Sequence, residues 1–489
     1  MSSLIVIDKA EDWSSEIPGT EVVTAIDYLS NLDYSQRRHY RVYNLCQSYR
    51  YQSNGYYVSL LAAARGHRPL PDVTTIQDLK SPTVPRLLGE DLDDHIQKGL
   101  QPIESTEFEL SIYFGQNLAK RHERLSKSLF NLFPAPLLRA KFTKGQKWQL
   151  RSLRAIPLED IPGSHHEFLE EAARLWFARP RRAVKRPASA RYDLAILVDE
   201  SEHEPPSDAR ALRLFEKAAE SLGFSVDFLD QDDFARIGEY DALFIRATTH
   251  VNDHTYRFAR RAAVEGLVVI DDPDSILKCT NKVYMAERLA KLRIPTPPTM
   301  VVHKGNANEI VSRLGLPCVL KQPDSAFSLG VVKADNETDL KRDLTRLFER
   351  SELLVAQSFL PTDYDWRVGV LEGRALYVCR YFMAEGHWQI IQRDKKGEAI
   401  EGEHETMSVE GAPKEVVELG VRAALAVGDG LYGVDIKQAG SKLYVIEVND
   451  NPSLDAGVED IVLGEAMYYR IMETFLRRVE TRARNASGG

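Results

Sequence analysis

Three oxygen-bearing side chains near the C-terminal end have a spacing that favours metal binding. Residues 431–455 read LYGVDIKQAGSKLYVIEVNDNPSLD, and the stretch at 439–441 predicts a hairpin turn. Glu447 and Asn449 are two residues apart, so in a strand they face the same side. The hairpin places Asp435 opposite Glu447. Such carboxylates can simply face solvent, but three polar ligands in apolar strands are costly unless they bind something. The set suits Mg²⁺, with Mn²⁺ as an alternative.

Two lysines further upstream could bind phosphate. Lys321 ends a predicted strand and precedes a loop of small residues, VLKQPDSAFSLGV at 319–331, whose backbone N–H groups could close over phosphate oxygens. Lys282 follows the Thr280-Asn281 helix-capping region and could approach the same phosphates. Either lysine alone is weak evidence, because strand-end lysines are common and first-turn lysines usually lie at the surface.

The order of these segments resembles ATP-grasp enzymes, and most closely the RimK-like ligases, which add glutamate to protein or small-molecule carboxylates. The segments that carry the resemblance are TNKVYMAERLAKLRIPTPPT, VLKQPDSAFSLGV, LVAQSFLPTDYDWRVGV, GVDIK and VIEVNDNPSLD. The resemblance is specific over 276–460 and holds at the level of fold over 192–275. The first part of the chain looks similar to the N-terminal domain that is fused to some RimK-like proteins.

The resemblance implies a nucleotide site at the matching positions. Lys282 and Lys321 would bind the ATP phosphates, and Asp365 would hold the ribose, with Asp363 as a rival. The remaining predicted nucleotide-binding residues are the adenine hinge and two positions of the covering loop: Gln357, Ser358, Phe359, Ser328 and Gly330. That loop has Gly330 as its one glycine, where relatives often have more, so it is expected to close differently.

The resemblance also implies the reacting groups. Arg367 would face the reacting carboxylate, while Asp435, Glu447 and Asn449 would hold the metal ion. RimK-like ligases have an Arg-x-Asn element after this strand, and the corresponding stretch here is YVCRYFMAEGHWQIIQRDKKG. Arg380 and Arg393 are the candidates to replace that element. Because this stretch should shape the acceptor pocket, the sequence leaves the glutamate assignment open.

These residues predict a carboxylate–amine ligase. ATP would phosphorylate a carboxylate, and an amine would attack the acyl-phosphate to give an amide, ADP and phosphate. The partners are an amino-acid donor and a carboxylate acceptor, which could be a peptide, a protein or a small molecule. Two alternatives stay open: a ligase of the dipeptide or glutathione-synthetase type, and a nucleotide-binding adaptor without turnover.

Composition excludes several other classes. The net charge of -9 argues against wholesale nucleic-acid binding. The 4 cysteines form no Cys-x-x-Cys pair and suit a reducing compartment. The start of the chain does not read as a signal peptide, and no apolar stretch approaches the roughly 18 residues that span a bilayer. We therefore expect a cytoplasmic protein without a membrane partner, and a homo-oligomer remains open.

Composition shifts predict how the chain is divided. The segment ARPRRAVKRPASAR is rich in Arg and Pro and has no acid, which is typical of a linker. Alternating strands and helices after it predict a parallel α/β layer that lacks a G-x-G-x-x-G turn, so no dinucleotide is expected there. The predicted parts are an N-terminal α/β domain (1–177), the linker (178–191), a Rossmann-like pre-grasp domain (192–275), an ATP-grasp lid (276–355), a C-terminal α+β subdomain with the metal site (356–482) and a flexible tail (483–489).

A basic, tyrosine-rich stretch stands out in the first part of the chain. Residues 34–71 contain six Arg, seven Tyr and no Asp or Glu. One interpretation is an exposed basic face with partly packed tyrosines. The other is a groove for an anionic partner, in which Arg37, Arg38, Arg41 and Arg50 pair with carboxylate or phosphate.

Overall fold

The chain has a mixed α/β architecture, as predicted. The computed structural model describes residues 2–13, 15–31, 33–34, 40–80, 90–178, 190–324, 330–384, 388–393 and 399–487. It forms two compact units, the first made of 1–182 with 232–239 and the second of 183–231 with 240–489. Within the described ranges, no helix is both long and apolar enough to cross a membrane.

The first unit contains a parallel sheet of order β2–β1–β3–β4 and an antiparallel sheet of order β5–β6–β7. Its strands are β1 (Ser2–Ile7), β2 (Thr20–Thr24), β3 (Tyr40–Asn44), β4 (Arg68–Leu70), β5 (Glu107–Tyr113), β6 (Leu137–Lys144) and β7 (Trp148–Ala155). Its helices are α1 (Ala25–Ser30), α2 (Asn54–Ala64), α3 (Val73–Asp78), α4 (Glu90–Leu100), α5 (Glu123–Leu132) and α6 (His166–Ala178). Most apolar side chains of both sheets are buried, and Val22 of β2 is an exposed exception.

The basic stretch of the first unit does not form a single exposed face. Arg41 is buried and pairs with Glu239 at 3.1 Å. Arg65 donates to the carbonyl oxygens of Tyr28 and Leu29. Arg50 is exposed, whereas the predicted anion-binding residues Arg37 and Arg38 lie outside the described residues. Arg41 is therefore part of the fold rather than of an open basic surface.

The second unit begins with a four-stranded parallel sheet of order β11–β10–β8–β9. Its strands are β8 (Tyr192–Leu197), β9 (Phe224–Leu229), β10 (Ala242–Ile245) and β11 (Val268–Ile270). Helices α7 (Ala209–Ser221), α8 (His254–Val264) and α9 (Pro273–Thr280) alternate with or follow these strands. Every strand and helix predicted between 192 and 275 is present, because buried parallel strands give short, nearly continuous apolar runs.

Antiparallel sheets follow, as predicted. One has the order β12–β15–β13–β14, another β20–β17–β16–β21–β22, and β18 pairs with β19. The strands are β12 (Thr299–Val302), β13 (Cys318–Lys321), β14 (Val331–Ala334), β15 (Leu354–Ser358), β16 (Tyr364–Leu371), β17 (Arg374–Phe382), β18 (Ile391–Arg393), β19 (Ala399–Glu401), β20 (His404–Met407), β21 (Leu431–Ala439) and β22 (Lys442–Asn449). The helices are α10 (Lys282–Lys291), α11 (Ile310–Leu314), α12 (Glu337–Leu347), α13 (Lys414–Leu425) and α14 (Glu465–Ser487).

Two elements end at boundaries that the sequence pattern does not show. Within the segment EVVTAIDYL, the strand ends at Thr24, whose side chain accepts a hydrogen bond from the backbone of Asp27 and caps α1. The expected flexible tail is helical through Ser487, since α14 meets no Gly or Pro before Gly488. Helix-forming residues therefore extend the last helix beyond the predicted boundary.

Candidate functional site

The predicted metal ligands lie together on the β21–β22 hairpin. Asp435 is directly opposite Glu447, which confirms the predicted pairing, and Gly433 is opposite Asn449. Asn449 Nδ2 donates to Asp435 Oδ2 at 3.2 Å. A bulge follows Asp435, so that Ile446 is left without a partner in the register and lines the same cavity as Glu447. Two carboxylates and an amide oxygen fit a hard divalent cation.

Both predicted phosphate-binding lysines are close to these acids and largely buried. Lys282 Nζ is 2.8 Å from Glu447 Oε1, and its side chain is 9% exposed, which is unlike an ordinary surface lysine. Burial lowers the pKa of Lys321 to about 8, although Glu447 opposes this shift. Burial favours a raised pKa for Glu447, but the charges of Lys282 and Lys321 outweigh it and lower that pKa. The lysines and the acid thus form one electrostatic group.

The start of α10 fixes the position of Lys282. Asn281 accepts hydrogen bonds from the backbone N–H groups of Val283 and Tyr284, a regular helix cap. The backbone N–H of Lys282 donates to Pro323 O, in the segment that follows β13 and Lys321. The helix start and the strand end are therefore joined by main-chain contacts.

Arg367 forms a bidentate ion pair with Asp435, which is a predicted metal ligand. Its Nε donates to Asp435 Oδ1 at 2.7 Å, and its Nη2 donates to Asp435 Oδ2 at 2.9 Å. Burial alone would lower the pKa of Arg367, but Asp435 outweighs it and holds this pKa well above its usual range. Gly433 lies beside the pair, and a Cβ there would be 2.7 Å from Pro452 Cβ and 3.5 Å from Arg367 Cδ. Glycine therefore leaves room for Pro452 beside the pair.

Asp365, the predicted ribose ligand, is engaged by a lysine that the sequence did not single out. Lys437 Nζ donates to Asp365 Oδ1 at 2.6 Å and to Thr362 Oγ1 at 2.7 Å. Burial raises the pKa of Asp365, with the charge of Lys437 acting against it. Asp363, the predicted rival, is not part of this pair. The ribose role of Asp365 stays a prediction.

The predicted adenine hinge, Gln357 to Phe359, lies at the end of β15. Gln357 Nε2 donates to Thr299 Oγ1 at 2.9 Å. The backbone N–H groups of Ser358 and Phe359 donate to the carbonyl oxygens of Pro298 and Pro317. These contacts hold the hinge in place, and all three hinge residues line the cavity.

The covering loop is described in part. Gly330 has a φ of +77°, and its carbonyl oxygen accepts the backbone N–H of Gln322 at 3.0 Å. A Cβ at Gly330 would be 2.6 Å from Gln322 Oε1, so this turn needs glycine. The predicted ligand Ser328 lies outside the described residues.

Of the two arginines predicted to shape the acceptor pocket, Arg380 is not brought to Arg367. Arg380 is opposite Trp366 in the sheet, its guanidinium lies 4.5 Å from the Trp366 ring centre, and it pairs with Glu405 at 3.2 Å. Since Arg367 is the neighbour of Trp366 in the strand, Arg380 lies on the other face of the sheet. Arg393 is in β18, and its side chain lies outside what the structure describes.

Arg246 connects β10 to the segment that follows the β21–β22 hairpin. It is almost fully buried and donates to Asn451 Oδ1 at 2.5 Å, to Pro452 O at 2.8 Å, to Ser207 Oγ at 3.0 Å and to Pro206 O. Asn451 also donates to Ala247 O at 2.6 Å. The sequence indicated only a strand end here, because an arginine gives no periodic signal of its own.

One cavity of about 610 Å³ in the second unit gathers these groups. Predicted site residues that line it are Lys282, Lys321, Gln357, Ser358, Phe359, Asp365, Arg367, Asp435, Glu447 and Asn449. Side chains that sequence reasoning missed also line it, namely Lys437, Tyr381, Ile446, Asp450 and Glu459. The arrangement offers cations for phosphate, oxygens for a metal ion and an arginine beside both.

Comparison with known proteins identifies two domains in the chain. Residues 25–172 match the RimK-like ATPgrasp N-terminal domain, and residues 279–467 match the RimK-like ATP-grasp domain. The alpha-aminoadipate–LysW ligase LysX of Sulfurisphaera tokodaii is 23% identical over 267 residues, which are 52% of this chain and 85% of that protein. A probable alpha-L-glutamate ligase of Vibrio vulnificus is 23% identical over 226 residues, covering 45% of this chain and 71% of that protein.

A solved RimK domain ATP-grasp protein from Sphaerobacter thermophilus is 16% identical, with a TM-score of 0.44, and covers 57% of this chain and 98% of its own. The matched domains define the class of this protein as an ATP-grasp ligase, an enzyme that uses ATP and a divalent metal ion to form an amide bond. Within that class the chain belongs to the RimK-like family and carries that family's N-terminal domain.

Proposed function

We propose that this enzyme joins an amino acid, through its amine, to the carboxylate of a peptide, protein or small-molecule acceptor by way of an acyl-phosphate. The observation that carries the proposal is the presence of Lys282, Lys321, Arg367 and the three metal-ligand candidates in one cavity. Relatives named as ligases for aminoadipate and for glutamate support an amino-acid donor. Glutamate is the donor that we propose to test first.

The residues have distinct tasks in this reaction. Lys282 and Lys321 would hold the ATP phosphates, and Asp435, Glu447 and Asn449 would hold Mg²⁺, or Mn²⁺ in its place. When bound, the metal ion supplies positive charge that offsets the charge growing on the transferred phosphoryl group. Because Arg367 pairs with Asp435 through Nε and Nη2, it would hold the reacting carboxylate and then the acyl-phosphate by two parallel hydrogen bonds from Nη1 and from the second N–H of Nη2.

The nucleotide-binding roles follow the same logic. The hinge residues Gln357 to Phe359 would contact the adenine, Asp365 would hold the ribose, and Ser328 and Gly330 would belong to the loop over the phosphates. This division of tasks corresponds to a lid over 276–355 and a C-terminal subdomain over 356–482. We also propose a cytoplasmic, reducing setting, because all 4 cysteines are buried free thiols.

The test is a substrate panel with the full chain, ATP and MgCl₂. Amines are the twenty protein amino acids, and carboxylates are the same amino acids and a set of short peptides. We expect ADP release that requires both a carboxylate and an amine, and a product whose mass equals the two substrates less one water. ATP binding without ADP release under every pairing would instead favour the adaptor interpretation.

The same panel separates the two kinds of ligase. Product formed with peptide carboxylates supports the RimK-like reaction that we propose. Product formed with free amino acids alone supports the dipeptide-synthetase alternative. A preference for glutamate among the amines is expected under our proposal, and equal use of all amines would remove the glutamate assignment.

A further inference from the structure

A partly buried tyrosine and a buried glutamate form a hydrogen-bonded pair in the wall of the cavity. The Tyr381 hydroxyl donates to Glu459 Oε1 in a short hydrogen bond. The other carboxyl oxygen, Glu459 Oε2, accepts the backbone N–H of Asp455 at 2.7 Å. Both side chains line the cavity, although Glu459 is only 1% exposed. The roles assigned above for nucleotide, metal and carboxylate use neither residue.

This pair is next to the group that would hold the reacting carboxylate. The guanidinium carbon of Arg367 lies 5.1 Å from the centre of the Tyr381 ring. Tyr381 is opposite Asp365 in the register of β16 and β17, so it lies on the same face of the sheet as Arg367. A chain of contacts thus runs from Asp435 through Arg367 and Tyr381 to Glu459.

The protonation states of the pair suit proton acceptance at neutral pH. Burial raises the pKa of Glu459 to about 7, and the hydrogen bond from Tyr381 works against this shift. Burial, together with the charge of Glu459, raises the pKa of Tyr381 well above its usual range. The resting tyrosine therefore keeps its proton while the carboxyl titrates near neutrality, which is the range in which a general base works best.

Other charged and titratable groups also face the pair. Asp455 raises the pKa of Glu459, and the remaining groups that interact with Tyr381 or Glu459 are Arg367, Arg246, Tyr377, Cys379 and Tyr468. Of these, Tyr377, Cys379 and Tyr468 have pKa values raised by burial. They stay neutral near pH 7, so Glu459 is the member of this group that changes charge there.

Resting on the proposed ligase function, we propose that Tyr381 and Glu459 form the relay that takes a proton from the attacking amine. As the nitrogen lone pair forms the C–N bond, the proton on nitrogen moves to Tyr381 Oη while the phenolic proton moves to Glu459 Oε1. The C–O bond to the phosphoryl group then breaks, and its electron pair leaves with phosphate. Glu459 afterwards returns its proton to solvent.

Two substitutions test the relay in the full-length enzyme. Tyr381→Phe keeps the ring beside Arg367 and removes only the hydroxyl, and Glu459→Gln removes the titrating carboxyl. With the most active carboxylate and amine of the substrate panel, each variant should lose about 10²–10⁴-fold in kcat. The KM for ATP should be unchanged. Tyr377→Phe is the matched control, since it removes a phenolic hydroxyl from the same strand and should leave kcat within a few-fold.

Hydroxylamine separates proton transfer from the earlier phosphorylation step. It is uncharged at neutral pH and attacks an acyl-phosphate without help from a base. Both variants should therefore form hydroxamate from the same carboxylate at nearly the wild-type rate. Equal losses with hydroxylamine and with the amine would overturn the relay and show a structural role. Failure of the wild-type enzyme to form any hydroxamate or amide would instead overturn the proposed ligase function.

A measurement without substrate checks the relay independently. Infrared difference spectra between pH 6 and 8 should contain a protonated-carboxyl band of Glu459 that titrates near pH 7 and is missing in Glu459→Gln, whereas the band of Asp450, whose pKa burial also raises to about 7, should remain. A wild-type spectrum with no such band would overturn the relay whatever the turnover assay gives. Thermal unfolding of both variants near the wild-type midpoint would establish that they are folded.

Discussion

Arg367 and Asp435 form a bidentate ion pair, with an Nε–Oδ1 distance of 2.7 Å and an Nη2–Oδ2 distance of 2.9 Å. One partner is proposed to hold the substrate carboxylate, and the other is proposed to hold the metal ion. The pair thus fixes the distance between the two proposed subsites. Asn449, which donates to the same carboxylate, extends this arrangement to the second strand of the hairpin.

Replacing Arg367 with lysine tests the proposed contact between its guanidinium and the substrate carboxylate. An ammonium group cannot copy two parallel hydrogen bonds, so Arg367→Lys should keep ATP binding but lose about 10²–10³-fold in kcat. Calorimetry measures the ATP affinity, and amide formation measures ligation. Full ligation by the lysine variant would contradict the catalytic role, and a joint loss of ATP binding would assign Arg367 to the nucleotide site.

Replacing Glu447 with glutamine tests the metal site. Glu447→Gln removes one negative charge from the proposed ligand set and also breaks the ion pair with Lys282. We expect turnover to be nearly abolished and Mg²⁺ affinity to fall, while circular dichroism stays that of the wild type. Glu405→Gln, at the outer strand of the same sheet, is the control. Wild-type turnover at saturating Mg²⁺ would argue against this ligand.

The buried ammonium of Lys321 predicts a pH-dependent change in stability. Its pKa falls from 10.5 to about 8 on burial, so between these values the unfolded chain binds a proton that the native state does not. Below about pH 8 the native state contains a buried positive charge, which lowers its free energy of unfolding. Lys321→Met removes this charge and should raise the free energy of unfolding by up to about 3 kcal/mol. The gain in stability of Lys321→Met over the wild type should shrink as pH rises from about 8 to 10.5.

Denaturant unfolding of the nucleotide-free wild type and of the Lys321→Met variant measures this difference at each pH. The exposed Lys414→Met is the control, since its side chain is 83% exposed and carries no such cost. A stability difference that grew with rising pH would contradict the assignment. Nucleotide binding by Lys321→Met should be weak at every pH, because the proposed phosphate contact is gone.

Arg246 should be a strong determinant of stability. Arg246→Met leaves the carbonyl oxygens of Pro206 and Pro452 without their donor, at a cost of about 1–3 kcal/mol for each buried acceptor. The midpoint of thermal unfolding should fall accordingly. Arg374→Met, at an exposed position of β17, should change stability by less than about 0.5 kcal/mol. Equal effects of the two substitutions would contradict this prediction.

The sequence predicted the pairing in the β21–β22 hairpin because the information for it is local. The alternation of side chains and the turn at Gly440 are enough to set Asp435 against Glu447. The pairs that sequence reasoning missed join residues far apart in the chain. Lys437 and Asp365 are 72 residues apart, and Tyr381 and Glu459 are 78 apart, so no periodic pattern connects them. Such contacts depend on the packing of the sheet against the segment after β22.

The contacts of Arg246 and Asn451 have a consequence for how the enzyme exchanges its ligands. These hydrogen bonds join the segment after the β21–β22 hairpin to the parallel sheet. The two parts are therefore held together as one rigid unit. We expect entry of nucleotide and release of product to depend on movement of the sheet that carries Lys321 relative to these two parts. If movement of this sheet, rather than bond formation, is the rate-limiting step, turnover should be sensitive to solvent viscosity.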